Sequence, residues 1–310
     1  MCLDKTINYI FVISLFFFLP TACITPPQKI TTDPENAQQI ELLSIIKKGK
    51  DLADQNRYQA AEIEFKKALS LNDNNSGIYN DLGYALLKQK NLSEAKTYFE
   101  KALTLDPANI NAQINLAYLL YQEGSTDQAL QLYTELLKTK TQLTKTDLAL
   151  IYQNISLIYH LQNLNPTAIR YSKLAFETEP NTYYAEQYAK LLLALDQTEE
   201  AEEFLIFNLK EKKLKSVSLN NLYAISLYSN GKKNSAFCQV NKILKLFDYN
   251  LEEYYTAKAI ILLTDASKDL TKLKKKDRPF CSSFSQNFPE FWNTSFKNDV
   301  HILIKEVCYE

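Results

Sequence analysis

The chain has 310 residues, with 35 Lys and Arg against 36 Asp and Glu and a formal net charge of −1. That balance excludes the strongly basic footprint of a nucleic-acid-binding domain. Five glycines are too few for Gly-rich phosphate loops or a turn-dense β fold, and two histidines, His160 and His301, leave little material for acid–base or metal chemistry.

Residues 1–23 read MCLDKTINYIFVISLFFFLPTAC. A leader carrying Lys5 precedes an apolar run from Ile10 to Leu19, too short to span a bilayer comfortably and suited to the h-region of a secretory signal. Pro20-Thr21-Ala22-Cys23 resembles the lipobox of bacterial lipoproteins. The resemblance implies a signal peptide over 1–22 and diacylation of Cys23 as the mature N-terminus; an uncleaved N-terminal anchor is the alternative. Ile24 in place of Asp after that cysteine implies, by the same resemblance, the periplasmic face of the outer membrane. Residues 23–41, with Pro26, Pro27 and Pro34, read as a tether.

The stretch Ser76–Asn109 is 34 residues long and reads as two amphipathic helices joined by a polar turn. Numbered from Ser76, Tyr79 falls at position 4, Leu82 at 7, Gly83 at 8, Leu86 at 11, Ala95 at 20, Phe99 at 24, Ala102 at 27 and Pro107 at 32. Small residues at 8 and 20 let two helices cross closely, the large ones fill the space between helices, and the proline stops the second helix. This is the pattern of the tetratricopeptide repeat (TPR), and the stretch is identified as one. One such unit cannot bury its apolar face alone, so neighbours are expected at the same period. They occur at 42–75, 110–143, 149–182, 182–215 and 217–250, with a five-residue slip over 144–148. The resemblance implies an all-α fold: a right-handed superhelix, or α-solenoid, of about six helix-turn-helix repeats over 42–250.

Residues 251–270 read as a capping helix, because an open solenoid end would expose core surface. The remainder, 271–310, is an irregular to helical tail with a basic run from Lys272 to Arg278 and then PFCSSFSQNFPEFWNTSF. Its aromatics are expected to pack on the last helices; a partner-docking patch is the other reading. Cys281 and Cys308 bracket this tail and are disulfide candidates, with Cys238 as the alternative partner of either.

No Walker loop, H-E-x-x-H, C-x-x-C or G-x-S-x-G motif occurs. His160 reads as a groove or core residue, and the acidic run Glu199, Glu200, Glu202 and Glu203 as a solvated helix start. No catalytic residue, metal site, cofactor, nucleic acid or small-molecule substrate is therefore expected. In TPR arrays positions 2, 5, 9, 12 and 13 of each first helix line the concave face. By that resemblance the protein-binding groove here comprises Asn80, Tyr84, Leu87, Lys88, Ile114, Tyr118, Tyr121, Gln122, Gln153, Leu157 and His160. Asn115 and Asn154 match one position of the carboxylate clamp of chaperone-binding TPRs, but Tyr118 and Leu157 stand where its asparagine belongs, so an acidic C-terminus is not the expected ligand.

A lipobox followed by six TPR units resembles the pilotin lipoproteins of type IV pilus assembly. That implies a scaffold that holds a protein partner, a secretin or another assembly factor, in the bacterial envelope. An adaptor for peptidoglycan enzymes and a TPR-bearing envelope enzyme with its site in the tail are the alternatives. The anchor has a direct test. Cys23→Ser is expected to leave an unprocessed precursor and to abolish labelling by a fatty-acid probe; unchanged processing and labelling would rule out lipidation.

Overall fold

The computed structural model describes residues 34–139, 142–214, 216–246 and 294–308, together with 256, 259, 260 and 292. The signal peptide, Cys23, the basic run 272–278, Cys281 and most of the capping helix and tail lie outside the described residues. Among the described residues every regular element is a helix. They pair as α1 (Pro34–Asp54) with α2 (Tyr58–Leu71), α3 (Ser76–Lys88) with α4 (Leu92–Leu105), and α5 (Ile110–Gln122) with α6 (Thr126–Lys138). The series continues with α7 (Lys145–Leu161) and α8 (Asn165–Thr178), α9 (Thr182–Ala194) and α10 (Thr198–Lys210), and α11 (Val217–Ser229) and α12 (Lys233–Leu246). A last helix, α13 (Thr294–Cys308), follows the array. From α1 to α12 each helix packs on the next, and first helices also touch at α1–α3, α3–α5, α5–α7 and α9–α11, which makes a TPR superhelix.

Two element bounds differ from the sequence reading. The first helix starts at Pro34, inside the stretch read as tether. Proline is tolerated at the first helical position because its missing N–H has no intrahelical partner there. The slip over 144–148 is an extra turn at the start of α7. Thr144 accepts from the Asp147 amide while the Asp147 carboxylate accepts from the Thr144 amide, a capping box that moves the helix start back to Lys145.

The core of a repeat is built where its two helices cross. Position 20 is alanine in all six units (Ala61, Ala95, Ala129, Ala168, Ala201 and Ala236), and each is 0% exposed. A Cβ placed on Gly83 would lie 2.7 Å from the Phe99 ring and 3.2 Å from the Ala95 carbonyl oxygen. The fourth repeat shows the same constraint solved differently. Ser156 replaces the glycine and Ser172 replaces the aromatic ring, so the added hydroxymethyl has room. The Ser156 hydroxyl donates to the Ala168 carbonyl at 2.8 Å, and Ser172 donates to Gln153 at 3.4 Å.

The turn inside each repeat is equally regular. Position 15 has a left-handed backbone in all six units: Asn56, Lys90, Gly124, Asn163, Asp196 and Gly231. In the second unit the Asn91 amide donates to the Leu86 carbonyl and Lys90 to Leu87, both at 3.0 Å. This Schellman geometry satisfies the last carbonyls of the first helix. First helices from α3 to α11 begin with a side-chain cap from Asn75, Asn109, Thr144, Asn181 or Ser216.

Two of the C-terminal aromatics, Trp292 and Phe296, pack on the array. Trp292, Phe296 and Val300 are fully buried in one cluster with Leu192, Leu222 and Ile225, as are Ala259 and Ile260 of the capping segment. The Trp292 and Phe296 rings meet edge-on at 4.7 Å, and Phe296 lies 5.5 Å from Tyr228.

Gly83→Val tests the crossing. The Ala95 backbone cannot yield as a side-chain tip could, so the substitution is expected to destabilise the array by about 1–3 kcal/mol, the usual cost of overpacking. Denaturant unfolding monitored by helical circular dichroism reads it, and an unchanged midpoint would contradict the crossing geometry.

Candidate concave binding face

Over α3 to α9 the five repeat positions expected on the concave side carry mainly apolar, aromatic and neutral polar residues, with Lys88, Glu186 and Lys190 as the charged ones. The superhelix separates the expected groove residues into two sets. Asn80, Leu87, Ile114 and Gln153 are buried within the array. Leu87 and Ile114 belong to core clusters. Asn80 accepts from Asn115 of the next repeat at 2.9 Å, and Gln153 is the partner of Ser172. Asn80 Oδ1 and Gln153 Oε1 thereby close inter-helix contacts. Tyr84, Tyr118, Tyr121, Leu157 and His160 are half-buried, while Lys88 and Gln122 are exposed. These seven are the ones left accessible.

The tyrosines form a connected surface. Tyr58 meets Tyr84 edge-on at 6.4 Å, the Lys88 ammonium lies 5.2 Å from the Tyr84 centroid, and Tyr118 stands 5.8 Å from Tyr121. The sequence reading did not include Tyr183, at position 2 of the fifth unit. Its ring is 54% exposed, yet its phenol is pushed above the usual range, first by burial and then by the proximity of Tyr118 and Tyr84. Three phenols, from the second, third and fifth units, thus lie near one another. Tyr84 is raised in the same way, by burial and then by Asp54. At the N-terminal end Lys50 pairs with Asp81 at 3.3 Å. Burial raises the Asp81 carboxyl, and Lys50 opposes that shift.

Between α7 and α9 the face deepens into a recess of about 200 Å³, lined by Gln153, Ser156, Leu157, His160, Gln187, Lys190, Leu191 and Ala194. His160 Nδ1 lies 3.4 Å from Asn165 Oδ1. Gln187, Lys190 and Leu191 belong to the fifth unit, whose weak match to the repeat pattern hid them. Position 9 of that unit, Lys190, was the available signal. Of the cysteines, Cys238 is a free, exposed thiol on α12, and Cys308 ends α13. Among the described residues no group of three His, Cys, Asp or Glu side chains could hold a metal ion, and no helix is long and apolar enough to cross a membrane.

Two tetratricopeptide-repeat family models match the chain, one over residues 46–110 and one over 86–144. Among solved structures, PilF of Pseudomonas aeruginosa is 16% identical with a TM-score of 0.53, covering 72% of this chain and 99% of its own. PilW, described as a widely conserved type IV pilus biogenesis factor, is 14% identical with a TM-score of 0.56, covering 69% and 96% respectively. A tetratricopeptide repeat protein from Parabacteroides merdae is 19% identical with a TM-score of 0.55, covering 86% and 98%. No curated protein sequence matches. At these identities the likeness shows the fold: the chain is an array of tetratricopeptide repeats.

The buried phenols set an alkaline limit. Burial and the Glu179 carboxylate push Tyr184 up to about 12, and Tyr133, Tyr188 and Tyr228 are raised further, by burial first. Unfolding returns these groups to near 10, so the folded state holds protons that the unfolded chain gives up. Their contribution to stability is complete below about pH 10 and lost as the pH rises through the folded values. Tyrosinate absorbance is expected to rise in two phases, the second cooperative and coincident with loss of helicity. A single non-cooperative rise with intact helicity would overturn this account.

Proposed function

We propose that this array of tetratricopeptide repeats is a non-catalytic adaptor that holds a protein partner on its concave face during envelope assembly, as a pilotin-like factor for a type IV pilus secretin. The observation that carries this reading is that the Tyr84, Tyr118 and Tyr183 phenols, from three repeats, lie near one another with their rings half-buried or exposed. Tyrosine offers large apolar area and a hydroxyl on a side chain that loses little entropy, which is why such rings anchor interfaces. Repeat arrays present extended concave surfaces for this purpose. The solved neighbours PilF and PilW, the latter described as a pilus biogenesis factor, support the choice of partner class. The lipobox resemblance supplies the location, with Cys23 holding the chain to the inner leaflet of the outer membrane and the array in the periplasm.

Co-purification with the secretin, from cells that make both, is the test. Tyr84→Ala combined with Tyr118→Ala is expected to reduce recovered secretin at least tenfold while the melting temperature stays within a few degrees, because truncating an interface anchor often costs about 2 kcal/mol or more. Undiminished recovery would remove the concave face from the interface. A fall of ten degrees or more would assign the rings to the core.

A further inference from the structure

The first helix of the array is longer than a repeat needs. Helix α1 runs for 21 residues, where α3, α5, α9 and α11 run for 13. Its inner side carries Leu42, Ile45, Ile46 and Leu52 into the first core cluster. Ile40 and Leu43 point elsewhere and are 59% and 56% exposed. At about 3.6 residues per turn, Asn36, Ile40, Leu43 and Lys47 share one side of the helix, turned away from the core-facing side. Asn36 and Lys47 are exposed too, and the nearby Glu41 stands about a third of a turn off this strip. Single exposed apolar residues are ordinary on any protein surface. Two neighbours on one side of a helix, with a lysine in register, form an amphipathic strip.

The length of the preceding chain decides what this strip can meet. Ten residues, 24–33, separate Cys23 from Pro34. Fully extended, ten residues reach at most about 35 Å. A chain held in a membrane at Cys23 therefore keeps the start of α1 within that distance of the lipid surface. Apolar side chains on one helix side gain from leaving water at the boundary between headgroups and acyl chains, and a lysine beside them is drawn to anionic phospholipid.

We propose that the side of α1 bearing Ile40, Leu43 and Lys47 rests on the phospholipid headgroups of the membrane that anchors the chain. The inference rests on the reading of the N-terminus as a membrane anchor, and adds to it a docking face in the folded part of the chain. An anchor on a ten-residue tether limits distance and leaves orientation open. Contact along α1 sets both, because α1 packs on α2 and α3 and moves with the array. The lipid surface thereby fixes how the solenoid stands above the bilayer and which way its concave side is presented.

A tryptophan placed on the strip reads the contact. The full chain, purified with its anchor, is reconstituted in phosphatidylethanolamine–phosphatidylglycerol vesicles that carry a nitroxide-labelled phospholipid as quencher. The chain's one native tryptophan, Trp292, is fully buried and supplies a constant background. Leu43→Trp is expected to lose about half of its added fluorescence to the quencher. That loss is several-fold greater than for Gln38→Trp, an exposed position on the other side of the same turns and as close to the anchor. Ile40→Asp with Lys47→Glu, added to Leu43→Trp, is expected to abolish the difference at an unchanged melting temperature, since both side chains are exposed. Equal quenching of Leu43→Trp and Gln38→Trp overturns the inference, as does quenching that survives the two added changes. So does a blue-shifted but unquenched Leu43→Trp emission, which would mean that a second copy of the chain covers the strip. In those three outcomes the chain still floats with the vesicles and the anchor reading stands. A chain that does not float with them removes the anchor, and this inference with it.

Discussion

Everything in this array depends on two helices approaching so closely that no side chain fits between them at one point. Alanine at position 20 is wholly buried in every unit, and the residue facing it across the crossing is glycine, alanine or serine. At Gly49 and Gly83 the Phe65 and Phe99 rings fill the space a side chain would need, and a Cβ on Gly49 would come within 2.5 Å of the Phe65 ring. Where the ring is absent, as at Ser172, a serine fits opposite and uses its hydroxyl within the turn of the second helix. The crossing sets the tilt between the helices of a repeat, and repetition of that tilt makes the curved surface. Interiors packed this densely transmit a local misfit, so the crossing could not be relaxed in one unit without disturbing its neighbours.

Polar groups keep the units in phase. Position 14 of one repeat reaches back to the second helix of the repeat before it: Gln89 to Glu62 at 2.8 Å, Glu123 to Lys96 at 3.5 Å, and Asn230 to Glu202 at 2.7 Å. Lys66 and Gln89 together hold the Glu62 carboxyl below its usual range, the Lys66 bond being the larger cause. Each such contact is partly exposed and contributes modestly. Their common position matters more than their strength, because a bond that recurs at the same position in several interfaces favours one stacking register over its alternatives.

The concave face shows how one repeat position serves different ends. At position 9 tyrosine lines the open groove in the second and third units, lysine flanks the recess in the fifth, and isoleucine is sealed in the sixth by the helix lying on it. The change from open to covered follows the chain's need to close its own end. A solenoid's last repeat has no successor, and Trp292, Phe296 and Val300 bury what a successor would have buried.

The repeat architecture was legible in the sequence because its constraint is local and periodic. Gly83, Ala95, Phe99 and Ala102 recur at fixed spacing, and a 34-residue period of small and large residues has few other physical solutions. The slip at 144–148 was also visible, although its form as an extra capped turn of α7 needed the Thr144–Asp147 geometry. The binding face was legible only in part. Tyr84, Tyr118 and Tyr121 follow from position alone, but the same rule also selects Asn80, Ile114 and Gln153, which the array buries because partners from other helices reach them first. Tyr183 and Lys190 stand at positions 2 and 9 of the fifth unit, but the pattern of that unit has decayed and the sequence reading of the groove stopped at the fourth. Period fixes which residues share a helix face, whereas closeness between repeats two or three apart, and the covering of one face by a distant helix, depends on the accumulated tilt of every crossing between them. That sum exists only in the folded chain.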